Sequence, residues 1–396
     1  MFASWCLGII ATCVAVPCTF FFVEIIAAFF SAPKQLTAQH RGSTRVAVLV
    51  PAHNEGAGLR PTLLDLKSQL GKRDRLIVVA DNCTDTTATV AASLGAEVTI
   101  RNDPTKIGKG YALDWGVKHL AADPPDVVIV IDADCRVEAG AIDRLATTSI
   151  MTTRPVQARY LMRGVAGSLL NHQVSEFAWR VKNWVRPLGL GALALPCQLM
   201  GSGMAFPWKT IRSVELANGC IVEDLKLGLD LAIAGRPPVF CPSATVTSHF
   251  ASSRQGCDTQ RQRWEHGHIG MILTALPQLI KTGIEQWDFH LLALTLDLMV
   301  PPLTLLILIS GFTFVSSLLA VLGGAASSVP LEISGSSIAA LFFAIGLAWI
   351  RFGRDALPRN SVRLVLGYVA AKLPIYRAAF LKHRVSNWIR SDRGNR

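Results

Sequence analysis

From Leu303 to Gly324 the chain carries no charged residue. About 20 apolar residues, rising roughly 1.5 Å each in a helix, cross a hydrocarbon core of about 30 Å, so this run is long enough to span. A second run, Trp5 to Phe30, is broken only by Glu24 and Pro17, and Ile338 to Ile350 reaches span length if it extends back to Ser334. Three crossings are expected. A secretory signal carries its positive charges ahead of the apolar run; here Lys34, Arg41 and Arg45 follow it. That order predicts a retained anchor with residue 34 onward in the cytoplasm. A carboxylate in mid-bilayer is costly, so the first span is expected to end near Glu24 or to lie partly in the interface.

Composition agrees with lipid-facing segments. Of 396 residues, 51% are apolar and only 17% charged, below the roughly 25% charged of soluble domains, and mean hydropathy is +0.37. A disordered tail protein, a collagen-like repeat and a disulfide miniprotein are excluded. The formal charge of +11 is uneven: Arg351–Arg396 holds 11 Lys and Arg against Asp355 and Asp392, a net +9. A basic block beside apolar spans reads as a cytoplasmic, lipid-facing tail, not as a nucleic-acid site. The nine cysteines are scattered with no C-x-x-C pair, which suggests neither a zinc site nor a disulfide framework and fits a reducing compartment. With about three spans and no run of intramembrane ionisable residues, a transporter is disfavoured.

Residues 46–150 read as a soluble α/β pattern. The short apolar runs Val46–Val50, Leu76–Ala80 and Val127–Ile131 alternate with helix-length segments, which predicts βαβ units and a mainly parallel sheet. Each run stops at a polar cluster: Pro51-Ala52-His53-Asn54-Glu55, Asp81-Asn82-Cys83-Thr84-Asp85, and Asp132-Ala133-Asp134. Ligands of open α/β sheets sit at the carboxyl ends of the strands, so the three clusters are expected around one pocket. The expected layout is an anchor over 1–33, a soluble domain over 44–265 with an interfacial helix at 166–190, and a second interfacial helix over 266–290. Spans within 291–352 follow, and a basic amphipathic tail over 353–396. Both interfacial segments mix aromatics with cations, Arg180, Lys182 and Arg186 in the first, as suits a headgroup region.

Asp132 and Asp134, one residue apart at a strand end, read as a pair that holds Mg²⁺ or Mn²⁺, hard cations that also take diphosphate oxygens, or as a solvated turn. Asp81 is placed to accept from a base N–H or ribose hydroxyl, or it belongs to a turn and helix cap supplied by Asn82, Thr84 or Asp85. Lys109, between Gly108 and Gly110, is a cation on a flexible loop suited to phosphate, without the spacing of a P-loop. Glu223-Asp224 opens a helical pattern and reads equally as cap or as catalytic pair. In Gln260-Arg261-Gln262-Arg263-Trp264, Arg263 suits a diphosphate and Trp264 offers a flat face to a sugar ring; the other reading is an interfacial cluster. His53, His249, His266 and His268 are weaker ligand candidates, and His249 is the first of them to test as a metal or phosphate contact.

The order and spacing of Pro51, His53 and Glu55, Asp81, Lys109, Asp132-x-Asp134, Gly201-Ser202-Gly203, Glu223-Asp224 and Gln260-x-x-Arg263-Trp264 resemble the membrane-bound inverting glycosyltransferases of family 2. That group includes cellulose, chitin and hyaluronan synthases, ceramide glucosyltransferase and bacterial exopolysaccharide glycosyltransferases. The likeness covers about residues 44–300, and Leu296-Asp297 with Pro301-Pro302 is also similar. It implies a GT-A fold, a Rossmann-like α/β domain, here flanked by N- and C-terminal membrane helices. It also implies a nucleotide-sugar site at Pro51, His53, Glu55, Asp81, Lys109 and Asp132, with Mg²⁺ or Mn²⁺ on Asp132 and Asp134. By the same resemblance Asp224 is the general base, and Gly201, Ser202, Glu223, Gln260, Arg263 and Trp264 lie around acceptor and diphosphate. Met200 stands where cellulose synthases usually have cysteine, no gating-loop motif is evident, and three crossings are few for a polymer channel. These departures weigh against processivity.

A sugar hydroxyl is a poor nucleophile until a positioned carboxylate takes its proton. One base and no second, nucleophilic carboxylate suit direct displacement with inversion. The expected activity is addition of one β-linked sugar from a nucleotide donor, a UDP-hexose for choice, to a hydroxyl of a lipid-linked acceptor. That acceptor is a polyprenyl-diphosphate oligosaccharide destined for an exopolysaccharide, or a glycolipid precursor, met at the cytoplasmic face of the inner membrane. Donor, acceptor and membrane lipids are the expected partners, with no nucleic acid. A processive synthase working as a homo-oligomer would instead give a ladder of products. A degenerate membrane scaffold that only binds nucleotide sugar would not hydrolyse donor with Mn²⁺.

Overall fold

The computed structural model describes residues 2–32, 41–164, 172–361 and 363–380. The elements begin α1 (Phe2–Phe30), β1 (Val46–Ala52), α2 (Arg60–Lys67), β2 (Arg75–Asp81), α3 (Thr87–Ser93), β3 (Glu97–Arg101), α4 (Lys109–Leu120), β4 (Val127–Val130), β5 (Arg136–Val137) and α5 (Ala141–Thr152). They continue with β6 (Val156–Arg163), α6 (Gln173–Arg180), a π-helical stretch over Val181–Val185, α7 (Arg186–Ala192), β7 (Met204–Pro207), α8 (Trp208–Ile211), α9 (Glu223–Ile233) and β8 (Val239–His249). Then come α10 (Arg254–Glu285), α11 (Phe289–Met299), α12 (Leu303–Leu322), α13 (Val329–Phe352) and α14 (Leu364–Phe380). The described residues fall into two compact units, one within Ala32–His172 and Pro196–Gly267, the other within Met1–Ser31, Gln173–Leu195 and His268–Arg384.

The first unit is built on an eight-stranded sheet in the order β3-β2-β1-β4-β7-β6-β8-β5. Strands β1 to β4 pair in parallel, as do β6 and β8, while β7 runs antiparallel to β4 and β6, and β5 to β8. Strand β1 is central, and Val46 through Val50 are all buried, so it reads as a continuous apolar run instead of an alternating one. On one face Leu49, Ile77 and Val79 form a core with Leu113, Val117 and Leu120 of α4 and Leu227 and Leu231 of α9. Each large side chain removed from water there contributes roughly 1.5–3 kcal/mol. A Cβ on Gly116 would stand 2.4 Å from Leu49 Cδ1, so α4 reaches the strand only because that residue is glycine. The observed strands match the apolar runs within one or two residues: β1 continues through Pro51 and Ala52, β2 takes in Asp81, and β4 stops at Val130. Just past β1 and β2, Asn54 and Asn82 turn the chain at φ 54° and 50°, a left-handed conformation asparagine tolerates better than most residues.

In the second unit α1, α12 and α13, of 29, 20 and 24 residues, are long and apolar enough to cross a membrane. Helix α13 begins at Val329, earlier than the Ser334 expected: Pro330 sits in its first turn, where the missing N–H costs nothing, and Glu332 there complements the helix dipole. Cys18, Phe21, Ile25 and Ala28 recur on one face of α1 and share a core with Leu341, Ala344 and Ala348 of α13. Small residues on both helices allow close approach. Helix α1 does not end near Glu24 but runs on to Phe30. Glu24 is fully buried, and its Oε2 accepts from Arg186 Nε at 2.6 Å. Arg186 also donates to the Asp297 carbonyl at 2.9 Å and pairs with the Asp297 carboxylate. Arg186, read above as a headgroup-facing cation, therefore turns inward between two carboxylates. Residues 166–171 of that expected segment, and 362 and 381–396 of the expected basic tail, lie outside the described residues.

Candidate active site

The ends of β1 and β2 are stitched together by their polar clusters. Pro51 pairs with Val79 across the ladder, His53 Nδ1 lies 2.7 Å from the Asp81 carbonyl, and the Glu55 N–H donates to Thr87 Oγ1 at 2.9 Å. Asp81 is 5% exposed; its Oδ1 accepts from Arg101 Nη1 at 2.5 Å and from Asn82 Nδ2 at 3.1 Å. Burial pushes the Asp81 carboxyl up, against the pull of Arg101. The Arg101 guanidinium in turn sits 5.4 Å from the centroid of the Tyr111 ring.

At the end of β4, Lys109 is the junction. Its Nζ lies 2.5 Å from Asp132 Oδ1 and 3.9 Å from Glu223 Oε1, and it donates to the Gly201 carbonyl at 2.6 Å. Burial works against the ammonium charge, but the carboxylates of Asp132 and Glu223 outweigh it and raise its pKa. Gly201 has φ +96°, and a Cβ there would meet Asp224 Oδ2 at 3.3 Å. Glu223 and Asp224 form the first turn of α9, whose start has no side-chain cap; two carboxylates there complement the positive end of the helix. The Glu223 carboxyl is pushed up to about 7 by burial and then by the Asp224 charge, with Lys109 pulling the other way. Lys109, Asp132, Gly201, Glu223 and Asp224, distant in sequence, thus meet in one place.

Asp134 Oδ2 accepts from Ser248 Oγ at 2.7 Å. Ligand atoms of Asp132, Asp134 and Cys135 lie within 4.8 Å of one another, but the three are not equivalent. Burial, and then the Asp134 and Asp132 charges, hold the Cys135 thiol well above its ordinary value. It therefore stays an S–H donor, directed to Ser202 Oγ at 3.3 Å. Two carboxylates remain, a donor set that fits a hard divalent cation such as Mg²⁺ or Mn²⁺. Ser202 itself is fully buried, and its Oγ also accepts the Asp132 N–H at 3.0 Å, so it braces the turn.

Gln260, Arg263 and Trp264 lie on α10, Gln260 buried and the other two half-buried. Gly267, three residues beyond Trp264, packs on the residue before Glu223: a Cβ there would stand 2.5 Å from Val222 Cγ1. Among the histidines, His249 ends β8, His266 is buried, and His268, in the helical unit, has Nε2 3.2 Å from the Leu298 carbonyl. Sequence reasoning did not single out Arg101, Gln157 or Ser248. Gln157 is fully buried; its Nε2 donates to the Ser202 carbonyl at 2.9 Å and its Oε1 accepts the Met200 N–H at 2.8 Å. A glutamine or serine inside a strand carries no signal until the strands are paired.

Comparison with known proteins bears on this site. The family model described as "Glycosyltransferase like family 2" matches residues 44–267. An uncharacterized glycosyltransferase of Mycobacterium tuberculosis is 41% identical over 100 residues, 25% of this chain and 41% of that protein. The 4,4'-diaponeurosporenoate glycosyltransferase of Staphylococcus haemolyticus is 38% identical over 93 residues, 22% of this chain and 24% of that protein. The chain thus matches less than half the length of either relative. In fold, the mannosyltransferase of Pyrobaculum calidifontis, solved in complex with GDP-Man and Mn²⁺, superposes with a TM-score of 0.52 at 15% identity, covering 94% of this chain and 99% of that one. With the family model covering more than half of its residues, the chain belongs to glycosyltransferase family 2.

Proposed function

We propose that the protein transfers a hexose, with inversion, from a UDP-sugar to a hydroxyl of a lipid-linked acceptor at the cytoplasmic face of the membrane. The observation that carries this reading is the Lys109 junction, where one ammonium touches Asp132 and Gly201 and approaches Glu223. It ties the D-x-D turn to the Glu-Asp pair, so donor and base chemistry share a site. Three span-length helices and the positive residues after the first apolar run favour a lipid acceptor on the cytoplasmic side.

Asp224 takes the proton of the acceptor hydroxyl as the sugar–oxygen bond forms. Glu223, beside it and uncharged over part of the neutral range, lessens the repulsion between the two. A divalent ion held by Asp132 and Asp134 would supply positive charge to the departing diphosphate. Lys109, held in place by Asp132 and the Gly201 carbonyl, adds positive charge that needs no reorganisation, and Arg263 is suited to the diphosphate. Asp81, with Arg101 behind it, is suited to the nucleoside end of the donor, and Trp264 to the face of a sugar ring. Asp224→Asn is expected to bind donor as the wild type does and to lose transfer by about 10²-fold or more, as loss of a general base does; a radiolabelled-donor assay beside donor-binding titrations checks both.

A further inference from the structure

Ser248 belongs to no motif, yet its hydroxyl is spent on the D-x-D turn. It lies on β8, 114 residues beyond Asp134, and donates to Asp134 Oδ2 at 2.7 Å. At 1% exposure it has no water to turn to instead. The strand that carries it is held on both sides: Ser248 pairs with Met162 of β6, and Thr247 and Val246 pair with Arg136 and Val137 of β5. Strand β5 begins two residues after Asp134, so the carboxylate and the hydroxyl that meets it are fixed by one short ladder. The backbone of Asp132 is held separately, by Ser202 Oγ at 3.0 Å. The Asp134 carboxylate and the Asp132 backbone are thus braced by different residues, Ser248 on β8 and Ser202 in the turn before β7.

We infer that Ser248 is the positioning residue of Asp134, fixing the direction of its carboxylate and thereby the affinity of the site for a divalent cation. The inference rests on the reading of Asp132 and Asp134 as the metal-holding pair. A ligating carboxylate that loses an outer hydrogen bond typically loses 10- to 100-fold in metal affinity. A serine that only fills the core would change melting and leave that affinity alone.

The test is titration of the full chain in detergent micelles with Mn²⁺, with and without UDP, followed by the electron paramagnetic resonance of free Mn²⁺, beside thermal melts. Ser248→Ala should weaken Mn²⁺ binding about 10- to 100-fold, Ser248→Thr, which keeps the hydroxyl, should bind as wild type, and Asp134→Asn should lose the site. If Asp134→Asn loses Mn²⁺ while Ser248→Ala keeps wild-type affinity, the inference falls and the metal reading stands. An equal loss in the alanine and threonine variants would put the effect in packing and also overturn it. If the wild type binds no Mn²⁺ in either condition, the metal reading falls and takes the inference with it. Should the alanine variant unfold, Ser248→Cys, a weak donor of similar size, decides: weakened binding supports the role of Ser248 and unchanged binding removes it.

Discussion

At Lys109 a single ammonium is shared among Asp132, Glu223 and the Gly201 carbonyl. Removing it leaves half-buried carboxylates facing one another without their cation, a loss below the about 3–5 kcal/mol of breaking a fully buried pair. Lys109→Met should therefore lose both transfer and stability, the second seen as a lower midpoint in denaturant titration. His268 makes a different residue-scale case. Burial first, then the Lys182 and Arg186 charges, depress its pKa to about 3. The unfolded chain takes up that proton below about pH 6.5 and the folded chain does not, so stability present at neutral pH is lost as pH falls through that value. The loss between pH 7 and 5.5 is about 1 kcal/mol, and His268→Gln should flatten this part of the melting-temperature profile. The lysine stands out in sequence because glycines flank it. Asp132, Gly201 and Glu223 stand out too, within the D-x-D turn, the Gly-Ser-Gly run and the Glu-Asp pair, but nothing local says that residues 109, 132, 201 and 223 meet.

At the scale of elements, what was legible depended on burial. Strands β1, β2 and β4 are visible as apolar runs because both faces are covered. Strand β7 is apolar but only four residues long, and β6 and β8 are broken up: Gln157 and Arg159 interrupt β6, and Ser243, Thr245, Thr247 and Ser248 interrupt β8. Their polar side chains find partners only after the strands pair, as Arg159 does with Thr245 Oγ1 at 2.7 Å. Helix ends misled in the same way at α13, where Pro330 and Glu332 look like breakers but suit a first turn. The Glu24–Arg186–Asp297 group was half legible. The lone acid in α1 could be seen, but the cation that meets it lay in a segment expected to face headgroups. Removing Arg186 strands two buried carboxylates, so Arg186→Ala should destabilise by about 3–5 kcal/mol. Combining it with Glu24→Gln and Asp297→Asn should recover part of that loss. Thermal melts of the single and combined variants in micelles check this; additive losses would mean that the three do not act as one group.

At the scale of the whole molecule, the chain has a sheet unit and a helical unit, each with a core of its own. The sheet unit holds the carboxylates, Lys109 and the Gln260–Trp264 stretch. The helical unit holds the span-length helices, which give a reason for the acceptor to be a lipid. Chelation should abolish transfer and added Mn²⁺ should restore it, if Asp132 and Asp134 work as a metal pair. The central claim is that Asp224 is the base of a sugar transfer to a membrane lipid. Its most direct measurement is mass spectrometry of lipid products formed from a panel of nucleotide sugars in membranes carrying the wild type or Asp224→Asn, with donor binding measured alongside. We expect one donor to yield a lipid bearing a single added sugar with the wild type, and no such product from Asp224→Asn despite unchanged donor affinity. Undiminished product from Asp224→Asn would contradict the account.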